Sequence, residues 1–332
     1  MSNTESRPDE VVCRAARAAG IEVITPREVP LGGPRAMNVR RTLPARGRSL
    51  IGAWCFLDHY GPDDVAASGG MEVAAHPHTG LQTVSWLFTG EIEHRDSAGH
   101  HAMVRPGEVN LMTGGRGISH TEISTPETRV LHGAQLWVAL PDAARDTAPA
   151  FEHYTPAPVA GTGWEARVFL GSLLGSTSPV ATFTRLLGVE ILLDAGATLT
   201  LPVDPTFEHG VLVDTGTVSV AGVPIAKDAL GYLPTGASEH TLVATEQSRL
   251  LLLGGPPFGE QILMWWNFVG RTHDEIVGYR DAWQAQITAA SGEVVTDGEL
   301  VAEGRFGRVV GEHRPPIPAP PLPSSVTLRP RG

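Results

Sequence analysis

Lysine is almost missing from this chain: Lys227 is the single one in 332 residues, although arginine is common. Covalent catalysis through a lysine amine is therefore disfavoured. Cysteine is nearly as scarce, with Cys13 in an expected N-terminal tail and Cys55 in a hydrophobic run, so no disulfide framework can be drawn and a reducing compartment fits best. No window holds the roughly eighteen consecutive apolar residues of a membrane helix. The opening MSNTESRPDE also lacks the basic and apolar regions of a signal peptide, so the reading is a soluble, cytoplasmic protein with no membrane partner. Positive charge is in deficit too, with 25 Lys and Arg against 36 Asp and Glu for a net −11. Such a surface repels phosphate backbones and argues against direct nucleic-acid binding.

What the chain does have is turn formers: 38 Gly and 27 Pro, in a sequence that is 42% hydrophobic and long enough for two cores. From Ile21 onward short β-prone runs alternate with Gly, Pro and Asp turns, as in Leu81 to Phe88, Val109 to Thr113 and Leu131 to Leu140. A second series covers Arg167 to Leu253, where Val211 to Val213 and Val218 to Val220 flank Asp214 to Thr217 as an expected hairpin. Thr89-Gly90 and Thr113-Gly114 are echoed by Thr215-Gly216 and Thr235-Gly236, a faint sign of duplication. After Leu253 the period changes. Thr272-His273-Asp274-Glu275 has the form of a capping box, and Ile276, Tyr279, Trp283 and Ile287 recur at helical spacing. The stretch from Val11 to Ala19 reads as either helix or disordered tail, and the PPIPAPPLP run after His313 as a disordered or extended one. The expected units are a tail over 1–20, β domains over 21–145 and 146–258, a helical segment over 259–292 and an extension over 293–332.

Chemistry concentrates in the first β series, where eight of the 13 histidines lie between His59 and His132. Residues i and i+2 of a strand share a face, so His76 and His78 present two imidazoles side by side, and His120 and Glu122 do likewise. Should these segments face each other, three nitrogens and one oxygen converge as ligands for a first-row divalent metal, with positions left open in an octahedron. His94, His100 and His101 lie near an expected turn and read as solvated or as supports of the ligands. His59 reads either as lining the cavity mouth or as a buried, hydrogen-bonded residue. The glycines of Gly114-Gly115-Arg116-Gly117 would allow a tight turn delivering His120, with Arg116 exposed on it. In the second series, His209 and His240 have no carboxylate partner, and Pro202 and Asp204 occupy the place where the Thr-Gly register would put a first pair.

These residues resemble the cupin pattern, and more closely the pirin family of bicupins. Gly70 followed by five residues and His76-Pro77-His78 is similar to the first cupin motif. Pro106-Gly107 through Gly115-Arg116-Gly117-Ile118-Ser119-His120-Thr121-Glu122 resembles the pirin form of the second, and Gln135-Leu136-Trp137-Val138 with Leu140-Pro141 matches a run typical of pirins. The specific likeness covers about residues 54 to 141. It implies an all-β fold of two stacked cupin (jelly-roll) domains with a C-terminal α-helix, the first domain holding metal and the second none. It carries the family's ligands onto His76, His78, His120 and Glu122, and implies iron, other divalent first-row metals also suiting the set. One position departs: Gln82 stands four residues after His78, where cupins generally have Glu, so no acid or base can act from there.

Two functions follow from the resemblance. One is a flavonol-cleaving dioxygenase of the quercetin 2,3-dioxygenase type, with a flavonol and O₂ as substrates and Glu122, or a base near it, as the catalytic proton acceptor. The other is a redox-sensing regulatory protein whose iron state alters a surface read by a transcriptional or metabolic partner protein.

Overall fold

Glycines at positive φ cut the β-prone runs where the chain must reverse. Gly80 (φ 67°) lies so close to the carbonyl of Val269 that a Cβ would stand 2.2 Å from it. A side chain there is excluded by both strain and space. The computed structural model describes residues 20–31, 37–288, 294, 304–322 and 327–330. The Val11 to Ala19 stretch and Cys13 lie outside them.

The first twelve strands are β1 (Glu22–Ile24), β2 (Arg27–Leu31), β3 (Met37–Leu43), β4 (Trp54–Asp64), β5 (Glu72–His78), β6 (Leu81–Thr89), β7 (Ile92–Asp96), β8 (His101–Val104), β9 (Val109–Thr113), β10 (Ile118–Ser124), β11 (Val130–Ala139) and β12 (Ala150–Tyr154). One sheet has the order β12-β9-β6-β11-β4-β3-β2 and the other β5-β10-β7-β8. Val39, Tyr60, Leu87 and Leu131 of the first pack against Val73, Ile92 and Val104 of the second. The second half repeats this plan. Its large sheet runs from β1 through Leu230–Leu233, Glu208–Thr215, Ser248–Gly255, Leu187–Leu193 and Trp164–Leu170 to Val159–Gly161. Its small sheet runs Thr198–Pro202, Glu239–Ala244, Val218–Val220, Val223–Ile225. The fold is all-β, two stacked cupins, and the duplication hinted at by Thr-Gly repeats is a strand-for-strand correspondence.

Each sandwich takes its edge strand from the other half of the chain. Ala150–Tyr154 pairs with β9 of the first, and Glu22–Ile24 with Leu230–Leu233 of the second. Between the sandwiches lies a shared apolar core that includes Trp54, Trp86, Phe169, Leu212 and Leu251. Trp86 stacks on Phe169 with centroids 4.5 Å apart, and Trp54 Nε1 donates to the carbonyl of Gly254 at 3.2 Å. Beside it a polar clasp joins the halves: the Nε2 atoms of His59 and His132 lie 2.8 and 2.6 Å from one oxygen, Oδ1 of Asp214.

The expected hairpin across Asp214 to Thr217 does not form. Glu208–Thr215 belongs to the large sheet and Val218–Val220 to the small one, where it pairs with Val223–Ile225 and Glu239–Ala244. Gly216 (φ 78°) is the crossing between sheets rather than a reversal within one. The C-terminal helix spans His273–Ile287 with both bonds of its Thr272 and Glu275 capping box in place. It buries Ile276, Tyr279, Trp283 and Ile287, the stripe read from its spacing. The proline-rich run is extended and docked. Trp283 Nε1 donates to the carbonyl of Ile317 at 2.8 Å, Arg280 Nε to that of Pro320 at 2.8 Å, and the Ile317 amide to Ala75 at 2.8 Å. No helix among the described residues is long and apolar enough to cross a membrane.

Candidate metal centre

Strands β5 and β10 are antiparallel neighbours with His76 opposite His120 and His78 opposite Ile118. The register shifts between His120 and Glu122, a bulge that re-aims the strand at the site. His76, His78, His120 and Glu122 are all at most 1% exposed. The imidazole centroids of His76 and His120 are 4.2 Å apart, those of His76 and His78 5.1 Å, and those of His78 and His120 5.0 Å. Nε2 of His78 faces Nε2 of His120 at 3.1 Å, and Nε2 of His76 is buried without a hydrogen-bond partner. Two β5 rings turn their other nitrogen to main-chain carbonyls, His76 Nδ1 to Ala74 at 2.9 Å and His78 Nδ1 to Asn267 at 3.2 Å. Those carbonyls fix the proton on Nδ1 and leave the Nε2 lone pairs directed into the cluster. Inward lone pairs with no donor between them among the described residues are costly when buried, and a cation satisfies them. The residues therefore fit a metal, and a glutamate beside three imidazoles suits a first-row divalent ion.

The electrostatics agree with that donor role. Burial pushes His76 down to about 4, the Glu122 carboxylate opposing the fall only in part. His78 and His120 are driven well below the usual histidine value by burial, reinforced by neighbouring imidazoles. All three are neutral near pH 7, the form that binds metals. For Glu122 burial works upward, yet its charged and hydrogen-bonding surroundings leave its carboxyl below the ordinary value.

The remaining histidines divide. His59 is fully buried and hydrogen-bonded in the clasp, the second of its two expected roles. His101 bonds Glu93 at 2.8 Å on the surface. His94 is buried, with Nδ1 3.3 Å from Nδ1 of His120, and so stands behind a candidate ligand. Gln82 on β6 is buried and donates to Thr113 Oγ1 at 3.0 Å, leaving its Oε1 unpartnered. Gly115 (φ 51°) makes the turn before β10, and Arg116 is exposed upon it. Three contributors escaped the sequence reading: the Asn267 carbonyl behind His78, Trp137 set edge-on to His78 at 5.2 Å, and Asp96 beside His94.

The duplication shows what became of the same place in the second sandwich. His240 follows Leu233 by the seven residues that separate His120 from Thr113, and it pairs with Leu201 as His120 pairs with His76. Leu201, Val203 and Leu242 thus stand at the positions of His76, His78 and Glu122, one residue earlier than the Pro202 and Asp204 expected for the first pair. A single histidine keeps its place, and His240 Nε2 meets His209 Nδ1 at 3.2 Å instead of a ligand set. Burial and His240 hold His209 down to about 4.

Comparison with known proteins points one way. Residues 36–138 match the family described as Pirin, and residues 188–288 the Pirin C-terminal cupin domain. "Putative quercetin 2,3-dioxygenase PA1205" of Pseudomonas aeruginosa is 41% identical over 331 residues, covering 97% of this chain and 98% of that protein. A pirin-like protein of Caulobacter vibrioides is 36% identical over 262 residues, covering 75% of this chain and 88% of its own length. The crystal structure of a quercetin 2,3-dioxygenase from Acinetobacter baumannii superposes with a TM-score of 0.83 at 38% identity, covering 94% of this chain and 98% of that one.

Proposed function

Because this chain belongs to the pirin family, we propose that it is a mononuclear iron protein that cleaves flavonols with O₂, a dioxygenase of the quercetin 2,3-dioxygenase type. The observation that carries the reading is the convergence of Nε2 of His78 and His120 at 3.1 Å with the unpartnered Nε2 of His76. The likeness over nearly the full chain to the Acinetobacter enzyme supports the choice of substrate class.

In this proposal His76, His78, His120 and Glu122 hold the metal. Iron bound there supplies Lewis acidity and a one-electron couple. The protein's own part is to bind, orient and move a proton. The three imidazoles arrive neutral, so no histidine has to lose a proton before binding. Glu122 accepts the proton of the flavonol 3-hydroxyl, because a carboxylate below its ordinary pKa is ionised and ready at neutral pH. Gln82 cannot share that task, since an amide only donates and accepts hydrogen bonds. The wall of stacked Phe56 and Trp137, with centroids 4.0 Å apart, gives His78 an apolar backing that limits water around the ligand.

The test is oxygen uptake by the iron-loaded protein in the presence of quercetin. The expected result is consumption of O₂ with release of carbon monoxide, both lost in His120→Ala. An iron-replete protein that turns over no flavonol would overturn the reading.

A further inference from the structure

An imidazole that binds a metal through one nitrogen must dispose of the other, and the three candidate ligands do so unequally. His76 and His78 give Nδ1 to main-chain carbonyls. His120 gives it to a side chain: its Nδ1 lies 3.3 Å from Nδ1 of His94, whose own Nε2 lies 3.5 Å from Oδ2 of Asp96. One assignment of protons satisfies the row. With Nε2 of His120 facing His78, Nδ1 carries the hydrogen and donates to Nδ1 of His94, and the hydrogen on His94 Nε2 points to the carboxylate.

The arrangement is built in by the sheet. Strand β7 lies against β10 with His94 opposite Glu122 and Asp96 opposite His120, so both side chains share the face that carries the candidate ligands. Asp96 is itself held, its fully buried carboxylate accepting from the amides of Ala98 at 2.9 Å and His100 at 3.0 Å and from His100 Nδ1 at 3.0 Å. Phe151 of the edge strand β12 stacks on His94 at 4.9 Å and on His100 at 5.5 Å. His94 therefore has little freedom to turn away from His120.

We propose that His94 and Asp96 are positioning residues which act through His120, fixing its tautomer and ring plane and placing a negative charge behind it, so that they set metal affinity and redox potential. The inference rests on the metal-site reading above. Groups hydrogen-bonded behind a metal-binding histidine raise its basicity, and their loss typically weakens binding roughly ten- to a hundredfold.

The test uses the full chain titrated anaerobically with Co²⁺, read by its visible d–d absorption, followed by the midpoint potential of the iron-loaded protein. His94→Leu is expected to weaken Co²⁺ binding roughly ten- to a hundredfold. His94→Asn, whose Oδ1 restores an acceptor near the Nδ1 position, should recover most of that loss, which a merely space-filling role would not predict. Asp96→Asn should raise the iron potential, because removing a negative charge behind the ligand disfavours Fe³⁺. Should His94→Leu fail to fold, Asp96→Asn carries the test through the potential alone. Wild-type Co²⁺ affinity in His94→Leu, or an unchanged potential in Asp96→Asn, overturns this inference by itself. A wild-type chain that takes up no Co²⁺, or one that keeps it after His120→Ala, overturns the metal site and this inference together.

Discussion

Glu190 is 7% exposed on the strand Leu187–Leu193, with Arg249 Nε at 3.5 Å and Arg167 at 3.9 Å, too far for close pairing. Burial lifts its carboxyl to about 7 against the pull of both arginines. The folded state then holds a proton that the unfolded chain releases near pH 4.5, so stability falls as pH rises from about 4.5 to about 7 and is flat beyond. Glu190→Gln should abolish that slope and stabilise the protein by about 3 kcal/mol at pH 8, measured as urea unfolding at pH 5 and pH 8. Arg41 and Asp58 show the opposite case, a buried bidentate pair at 2.6 and 2.8 Å. Arg41→Met strands the carboxylate and should cost about 3–5 kcal/mol in the same assay. At this scale the sequence spoke where a pair of chemical groups sat two apart on one strand, as in His76 and His78. His94 and Asp96 have that same spacing, yet Ser97 to Gly99 announce a turn, and only the lateral pairing of β7 with β10 gives their faces a meaning.

Elements were legible when their signals were local. The helix His273–Ile287 declared its start through the Thr272 to Glu275 box and its buried face through period. The break at Asp214 to Thr217 was equally clear, but whether such a break reverses the chain or passes it between sheets is decided by residues far off in sequence, here those of Glu239–Ala244. Proline composition likewise could say disordered or extended but not docked, because docking depends on Trp283, Gln284 and Arg280 meeting the run from the helix. Trp283→Ala removes a fully buried ring and a donor to Ile317. It should destabilise the protein by about 3–5 kcal/mol and expose the 304–322 segment to limited proteolysis, with the first cleavage mapped there by mass spectrometry.

For the whole molecule, the clasp of His59 and His132 on Asp214 adds a polar seam to the shared apolar core. The Asp214 carboxyl is held far below the carboxylate range, burial working upward but being overcome by hydrogen bonds from both histidines. Its contribution is present above about pH 4 and is lost as pH falls through the lower folded value. A metal that binds only the folded chain stabilises it by mass action. Stripping with a chelator should therefore lower the melting temperature, and His76→Ala should make that temperature insensitive to added Fe²⁺, as calorimetry can follow.

The traded edge strands have a consequence for how the chain is made. A ribosome releases β1 early, but its place beside Leu230–Leu233 does not exist until more than two hundred further residues have emerged. The first sandwich likewise waits for Phe151 and its neighbours before β9 is covered and His94 is backed. Newly made N-terminal segments thus carry an open sheet edge during synthesis, and the last support behind His120 arrives only after all four candidate ligands have left the tunnel.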